Sequence, residues 1–383
     1  MVGRAVLGGV MVIAVVGAGC GSVRRTAPVM STPSPLASPS TLPVSSMSAR
    51  GAPSTPVTAP VPSTLPATAP APATAAVSAL EGAFDTVTKV TVTADGNVWA
   101  ATAGGVVRWA GPNGQTATQF TDRDGLPSGP VLAVAAAPDG SVWAAGQGWV
   151  GNYHDTWTVV TATDVPVFNA DFGDLTVGPD GKVWVAVGSD RLVRYDGTRW
   201  TSVAPPPSTE ASPWTTSLAT TNFGMVWAPL SSSSGPVVCF DGTRWYSYPA
   251  PGPTSNLVVA PDSALWVGGA RRHGDPSGDV PAVGVASSVD GGTTWKVFTV
   301  ADGLAANEAD VAVGADGTVW AVAAAAVSRF NGATWTSYPV NGTDTGAGRG
   351  AFAAADGTLW MPSTHGVIRF DGTSTSRLTI ENA

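Results

Sequence analysis

An all-β, seven-bladed β-propeller of four-stranded antiparallel blades is the fold this sequence predicts, on three observations. The first is a tryptophan that follows a tight turn, usually Asp-Gly, and recurs at Trp99, Trp143, Trp184, Trp227, Trp266, Trp320 and Trp360. Successive members stand 44, 41, 43, 39, 54 and 40 residues apart, the length of a four-stranded blade. The second is a trailing series of apolar, basic, aromatic, Asp-Gly and Trp residues, as in Val193-Arg194-Tyr195-Asp196-Gly197-Thr198-Arg199-Trp200. The third is the tryptophan count itself. Of 15 Trp, twelve fall on these two repeat positions, where a large flat ring fills the wedge that widens between twisted sheets.

Each repeat therefore reads as strand A, an Asp-Gly turn, strand B with the first Trp, a loop, strand C with the aromatic, a second turn, and strand D. Blade 4 has an irregular first turn, Asn222-Phe223-Gly224-Met225, and blade 5 carries Asp262-Ser263 in place of Asp-Gly. Blades 1 and 7 keep only the front of the second motif, as Arg108-Trp109 and Arg369-Phe370-Asp371-Gly372. The repeats begin on strand A of blade 1 and finish on strand D of blade 7, near Leu378 to Ile380. That order gives the first and last blades no evident shared strand.

Three segments precede or form the fold: residues 1–19, 20–79 and 80–383. Met1 to Arg4 is a short basic start, Ala5 to Val16 an apolar run, and Gly17-Ala18-Gly19-Cys20 supplies small residues ahead of a cysteine. This is the pattern of a secretion signal, too short to span a membrane. The cysteine after small residues resembles a bacterial lipobox, which implies acylation of Cys20 and a membrane lipid anchor, although Gly17 stands where that pattern prefers Leu or Val. From Ala27 to Ser78 the chain is almost wholly Pro, Ala, Ser, Thr and Val, with Arg50 the only charge. Such a stretch buries too little apolar area to offset its ordering entropy and is expected as an extended spacer. At about 3.1 Å per residue it reaches on the order of 100 Å.

Composition limits function. The sequence holds two cysteines, Cys20 and Cys239, so no disulfide framework is expected, and Cys239 reads as a buried small apolar residue. All 27 acidic residues lie beyond residue 80, whereas four of the 19 basic ones precede it, so the predicted propeller carries a net charge of −12. A surface of that sign repels phosphate backbones and excludes nucleic acid as a natural partner. The sequence shows no phosphate-binding loop, dinucleotide fingerprint or Cys/His zinc spacing, and no cofactor or metal is expected.

Two stretches resemble the two-component-regulator propeller repeat: Asp124-Gly125-Leu126-Pro127 through Asp139-Gly140-Ser141-Val142-Trp143, and Asp302-Gly303-Leu304 through Asp316-Gly317-Thr318-Val319-Trp320. The likeness implies an extracellular sensing or binding module. The membrane span and kinase that usually follow in that family do not follow the repeats here. Ser288-Val289-Asp290-Gly291-Gly292-Thr293-Thr294-Trp295 resembles the Asp-box of sialidases and other propellers, which implies a structural turn. A sialidase would also need an arginine cluster and a Tyr/Glu nucleophile pair, and Tyr153, Tyr195, Tyr246, Tyr248 and Tyr338 all fall within strands C or D.

Strand order puts the A-to-B and C-to-D turns on one face and the D-to-A and B-to-C loops on the other. The expectation is that the repetitive turn face is scaffold and the variable loop face holds the site. On the loop face, Val267 to Gly284 is the longest segment and carries Arg271, Arg272, His273, Asp275 and Asp279; His365 lies in the B-to-C loop of blade 7. His154 falls on the turn face and reads as structural. Trp149 and Trp214 are expected in loops of the loop face, as exposed aromatics for a sugar or peptide. Ten residues before each blade Trp stand Lys89, Ala133, Asp174, Ser217, Asn256, Asp310 and Gly350, a mostly polar ring at the channel mouth. Either it lines a water-filled channel or Asp174, Asn256 and Asp310 contact a ligand.

The resulting expectation is a monomeric, extracytoplasmic, lipid-anchored recognition module for a glycan, peptide or envelope protein, with no catalytic residues. The rival is a propeller enzyme, either glycan-active or resembling the metal-assisted streptogramin lyases, for which His273, His365 and Glu308 are the available His/Glu/His set. A structural subunit of an envelope assembly is the third reading.

Overall fold

The computed structural model describes residues 84, 86–111, 116–169, 172–188, 191–203, 217–230, 236–269, 282–340 and 350–380. Residues 1–19 and 20–79, Cys20 included, lie outside the described residues, as do Trp214, Arg271, Arg272 and His273. The described strands form seven separate four-stranded sheets, each antiparallel and ordered A-B-C-D as they occur in the chain. Blade 1 is Val87–Val92, Val98–Thr102, Gly105–Ala110 and Thr116–Phe120. Blades 2 to 7 occupy 131–161, 172–203, 219–248, 254–298, 310–339 and 352–378.

An apolar cluster fills each seam between neighbouring blades. The seam of blades 6 and 7, for example, packs Ala312, Trp320, Val322 and Val327 against Leu359, Met361, Ile368 and Phe370. Trp109, Trp184, Trp227 and Trp320 are among the largest fully buried side chains. The basic residue of the repeat motif also finds its reason. Strand pairing sets Arg108 opposite Trp99, Arg194 opposite Trp184, Arg329 opposite Trp320 and Arg369 opposite Trp360. Each guanidinium lies 5.5–5.8 Å from the centroid of its indole, within cation–π range. In blade 4 the residue opposite Trp227 is Cys239, fully buried as expected.

The ring closes without a shared strand. Phe84, Val87, Val90, Val98 and Trp109 pack against Ala354, Trp360, Val367 and Leu378, Val90 N–H donates to Gly350 O at 3.1 Å, and Trp109 Nε1–H donates to Thr379 O at 3.3 Å. Gly350 has φ +87° and a Cβ there would stand 2.8 Å from Lys89 Cα, so only glycine lets blade 7 approach blade 1 this closely.

The Asp-Gly-Leu stretches are loop plugs. Thr121 and Thr299 cap single 3₁₀ turns at Asp122–Asp124 and Val300–Asp302, Gly125 and Gly303 close them in the left-handed region, and Leu126 and Leu304 drop into the seams.

Trp149 is where the sequence expectation fails. It opens strand C of blade 2 (Trp149–His154) rather than lying in a loop, and it is 3% exposed in the seam of blades 1 and 2. Its strand partner is Gly146, where a Cβ would lie 2.4 Å from the indole. The missing side chain on strand B makes the slot that Trp149 fills, so this aromatic is core and not a ligand contact.

Candidate functional site

Strands A surround a central channel, and the residues at its two ends do different things. At the end where strands A begin, a cavity of about 470 Å³ is lined by Lys89, Asp174, Ser217, Asn256 and Gly350 among others, so five of the seven ring positions share one space. Their polar groups are tied to the neighbouring blade. Asn256 in blade 5 pairs with both backbone groups of Val311 in blade 6, Nδ2–H to the carbonyl at 2.7 Å and Oδ1 from the amide at 2.9 Å. Ser217 in blade 4 does the same to Leu257 in blade 5, at 3.1 and 3.3 Å. Asp174 Oδ2 in blade 3 accepts from Leu218 N–H in blade 4 at 2.8 Å. Each side chain clips the inner strand of the next blade, as a strand partner would.

Blade 2 has Ala133 at this position and offers no such group. Lys89 of blade 1 reaches past it to blade 3, forming an ion pair with Asp174 and donating to Leu175 O at 3.1 Å. Thr88 and Thr91 take over the contact to blade 2, through Val131 O at 3.1 Å and Ala136 N–H at 3.3 Å. Asp310 is buried at the start of strand A of blade 6. The polar ring is therefore a set of inter-blade fasteners before it is anything else.

At the other end the channel opens into a cavity of about 900 Å³ on the turn face. Its wall is made by small or apolar residues that end strands A and begin the turns, including Val92, Ala94, Pro179, Val259, Pro261, Val313, Ala315 and Ala355. Asp95, Asn222, Asp356 and Arg369 add polar atoms. The expectation that turn residues are scaffold holds for their hydrogen bonds, yet among the described residues this face also carries the larger of these two axial cavities.

The turn carboxylates are ordered by the turns themselves. Asp139 Oδ1 accepts from Ser141 N–H at 2.9 Å and the Ser141 hydroxyl at 2.7 Å, and Asp316 and Asp356 repeat this with Thr318 and Thr358. On the C-to-D turns Asp241 accepts from Arg244 N–H at 2.7 Å, the Thr243 hydroxyl and amide at 2.8 Å, and Tyr246 at 3.1 Å. The Arg244 amide and the Thr243 hydroxyl lower its pKa to about 2. Asp196, through the Thr198 hydroxyl, and Asp371, through the Ser374 amide, are held further below the ordinary carboxylate range. In the turn of blade 5, Asp290 accepts from Thr294 and Ser288, and Trp295 donates to Pro249 O at 2.8 Å.

Of the loop-face residues, His365 is described and exposed; its Nδ1 stands 2.9 Å from the Thr364 hydroxyl, with roles set by the tautomer. Glu308 is exposed in the loop before strand A of blade 6. Among the described residues there is no group of three or more His, Cys, Asp or Glu placed to hold a metal.

No family model and no curated protein matches the chain. Solved structures share its fold. Virginiamycin B lyase from Staphylococcus aureus superposes with a TM-score of 0.59 at 16% identity, covering 74% of this chain and 94% of that one. The extracellular domain of a hybrid two component system from B. thetaiotaomicron gives 0.59 at 14%, over 76% and 40%. A GH74 enzyme from Niastella koreensis gives 0.56 at 16%, over 77% and 54%. At these identities the likeness is one of fold.

Proposed function

We propose that this propeller is an extracytoplasmic recognition module, binding a glycan, a peptide or an envelope protein without chemistry of its own. One observation carries the reading: the polar ring at one end of the channel is taken up in inter-blade bonds, while the other end is a roomy, open cavity with an ordered polar rim. Carboxylates with displaced titration support it, because those of the turns are pushed down, opposite to what a general acid at neutral pH needs. The extracellular domain of a two component system among its fold neighbours is consistent with such a role.

Localisation outside the cytoplasm rests on the leader-like residues 1–19, and we propose that Cys20 carries a lipid anchor, with 20–79 as the spacer. Acylation of Cys20 and a bridge from Cys20 to Cys239 are exclusive uses of one sulfur, and both belong to compartments beyond the cytoplasmic membrane. Mass spectrometry of the mature protein separates them. An acylated N-terminal Cys20 supports the anchor; a reducible link between the Cys20 and Cys239 peptides overturns it and leaves secretion standing.

The function is tested by probing glycan and peptide arrays with the mature protein. Saturable binding of one ligand class supports recognition. Metal-dependent turnover of a glycan or cyclic depsipeptide, lost in His273→Ala or His365→Ala, overturns it in favour of an enzyme.

A further inference from the structure

The seven A-to-B turns align residue for residue, and one position departs from the rest. Four residues before the blade Trp stands an aspartate in six blades, as at Asp95, Asp180 and Asp356; in blade 4 it is Phe223. The hairpin is unchanged. Thr221 N–H donates to Met225 O at 2.9 Å and Gly224 N–H to Thr221 O at 3.0 Å, matching Thr93 with Asn97 and Gly96 with Thr93 in blade 1. The carboxylate's duty toward the turn amides passes to the Thr221 hydroxyl, which accepts from Phe223 N–H at 3.3 Å and Met225 N–H at 3.2 Å.

The phenyl ring has no packing task, since Phe223 is 74% exposed. A large aromatic left in water forgoes the gain of burial, and six aspartates show that the turn accepts a polar residue here. Its neighbour Asn222 lines the turn-face cavity. In a closed ring of seven, blade 4 stands across the channel from blades 7 and 1, so the turn that carries Phe223, at the edge of the cavity beside Asn222, lies across it from the blades that contribute Asp356 and Asp95. Between them lie the apolar ends of strands A. Arg369, a cation among the lining residues, lies over Trp360 and 3.8 Å from Asp371, and its charge also reaches Asp356, which leaves Asp95 the rim carboxylate of this sector without a neighbouring cation among the lining residues.

We propose that this cavity docks a polypeptide segment carrying a basic side chain beside apolar ones, the apolar part on Phe223 and the cavity wall, the basic group at the aspartate rim. Charge complementarity selects this occupant, because the head is strongly acidic and its rim carboxylates stand on six of the seven turns. Aromatic side chains, phenylalanine included, are enriched at the cores of polypeptide interfaces. The proposal rests on the recognition reading and names the partner's chemistry.

The test measures fluorescence anisotropy of short labelled peptides of alternating Lys/Leu, Ser/Leu and Glu/Leu with the mature full-length protein. The Lys/Leu probe should bind about tenfold tighter than Ser/Leu, and Phe223→Ser, a change at a side chain that supports no core, should weaken it about tenfold with an unchanged melting temperature. The pair Asp95→Asn and Asp356→Asn, which keeps an acceptor for each turn, should weaken it similarly and flatten its salt dependence. Arg123→Ala, in the exposed 3₁₀ turn of the opposite face, should leave it unaltered. Equal binding of all three probes, or Lys/Leu binding indifferent to Phe223→Ser, overturns the docking site. A glycan ligand whose affinity survives Phe223→Ser also overturns it and leaves the recognition reading intact; substrate turnover with no probe bound overturns both.

Discussion

The two ends of the channel are built from the same strands A, yet they differ in what their side chains are free to do. Where the strands begin, Asn256, Ser217 and Asp174 each bond the backbone of the next blade. Where they end, Ala94, Pro179, Pro261 and Ala315 leave space, and the aspartates behind them satisfy their own turns without crossing a seam. A polar residue pointing at a channel is therefore weak evidence for a ligand when a backbone edge lies within its reach. Space made by small residues is the better guide. The comparison makes distinct demands on stability, and these can be measured.

The largest effect should come from neither end but from the seam on which both depend. Trp320 is fully buried, with Arg329 5.6 Å from its ring and Phe370 of blade 7 edge-on at 5.6 Å. Trp320→Ala should cost about 3–5 kcal/mol in urea unfolding, as a large cavity-forming change does. A loss under about 1 kcal/mol would show that the seam is not where the fold is held.

Next comes the fastened end. Asn256→Ala removes two hydrogen bonds at once and strands the N–H and C=O of Val311, so a loss of about 1–3 kcal/mol is expected. If Asn256 serves a ligand instead, the variant should unfold like the parent and lose binding. That outcome would reverse the assignment of the two ends.

The fold was legible because blade length, Asp-Gly turns and tryptophan periodicity are local signals that repeat. The strand-C arginine was visible as part of the motif, and its place over the indole follows once register is known. Trp149 was misplaced because its slot depends on the absent side chain of Gly146; the Gly146-Gln147-Gly148-Trp149 run held that clue, a residue without a Cβ paired across a tight turn with a large ring. The inter-blade clips were illegible for a different reason. Asn256 meets Val311 across 55 residues, and no local pattern marks a side chain that bonds the next repeat's backbone. Phe223 was seen only as an irregular turn, since exposure is a property of the folded ring. Trp214, Arg271, Arg272 and His273 fall outside the described residues, so the loop-face expectation stands on sequence alone.

The turn end should show itself in acid. Asp196, Asp241 and Asp371 have pKa values depressed in the folded state by turn hydroxyls and amides, against about 3.9 in an unfolded chain. Folding therefore favours the deprotonated form, and the contribution is complete above about pH 5. It should decline as the pH falls through 4 and be lost for Asp241 near its folded value of about 2. The melting temperature should be level between about pH 5 and 7 and then fall steadily toward pH 2. These carboxylates are exposed, so the decline should be moderate. A melting temperature unchanged from pH 5 to 2.5 would mean that the turn bonds contribute nothing to the fold.

The smallest expected effect is a gain, and it isolates backbone from side chain on the turn face. At the position after the rim residue, Gly96, Gly140, Gly181, Gly224, Gly317 and Gly357 all have φ between +75° and +86°, whereas blade 5 has Ser263 at φ +70°. The hairpin is otherwise the same, with Ser263 N–H donating to Ala260 O and Ala260 N–H to Ala264 O, both at 2.8 Å, and Asp262 Oδ1 accepting from Ala264 N–H at 3.0 Å. A Cβ in the left-handed region is strained, and glycine removes that strain while adding freedom to the unfolded chain, so the two terms oppose. The strain should win, and Ser263→Gly should stabilise by about 0.5–1 kcal/mol. Because Ser263 also lines the turn-face cavity, the same variant reports on the site. A stabilised protein with unaltered ligand affinity would show that the serine hydroxyl has no part in binding. A destabilised protein would show that the hydroxyl supports the turn and would exempt blade 5 from the rule that the other blades follow.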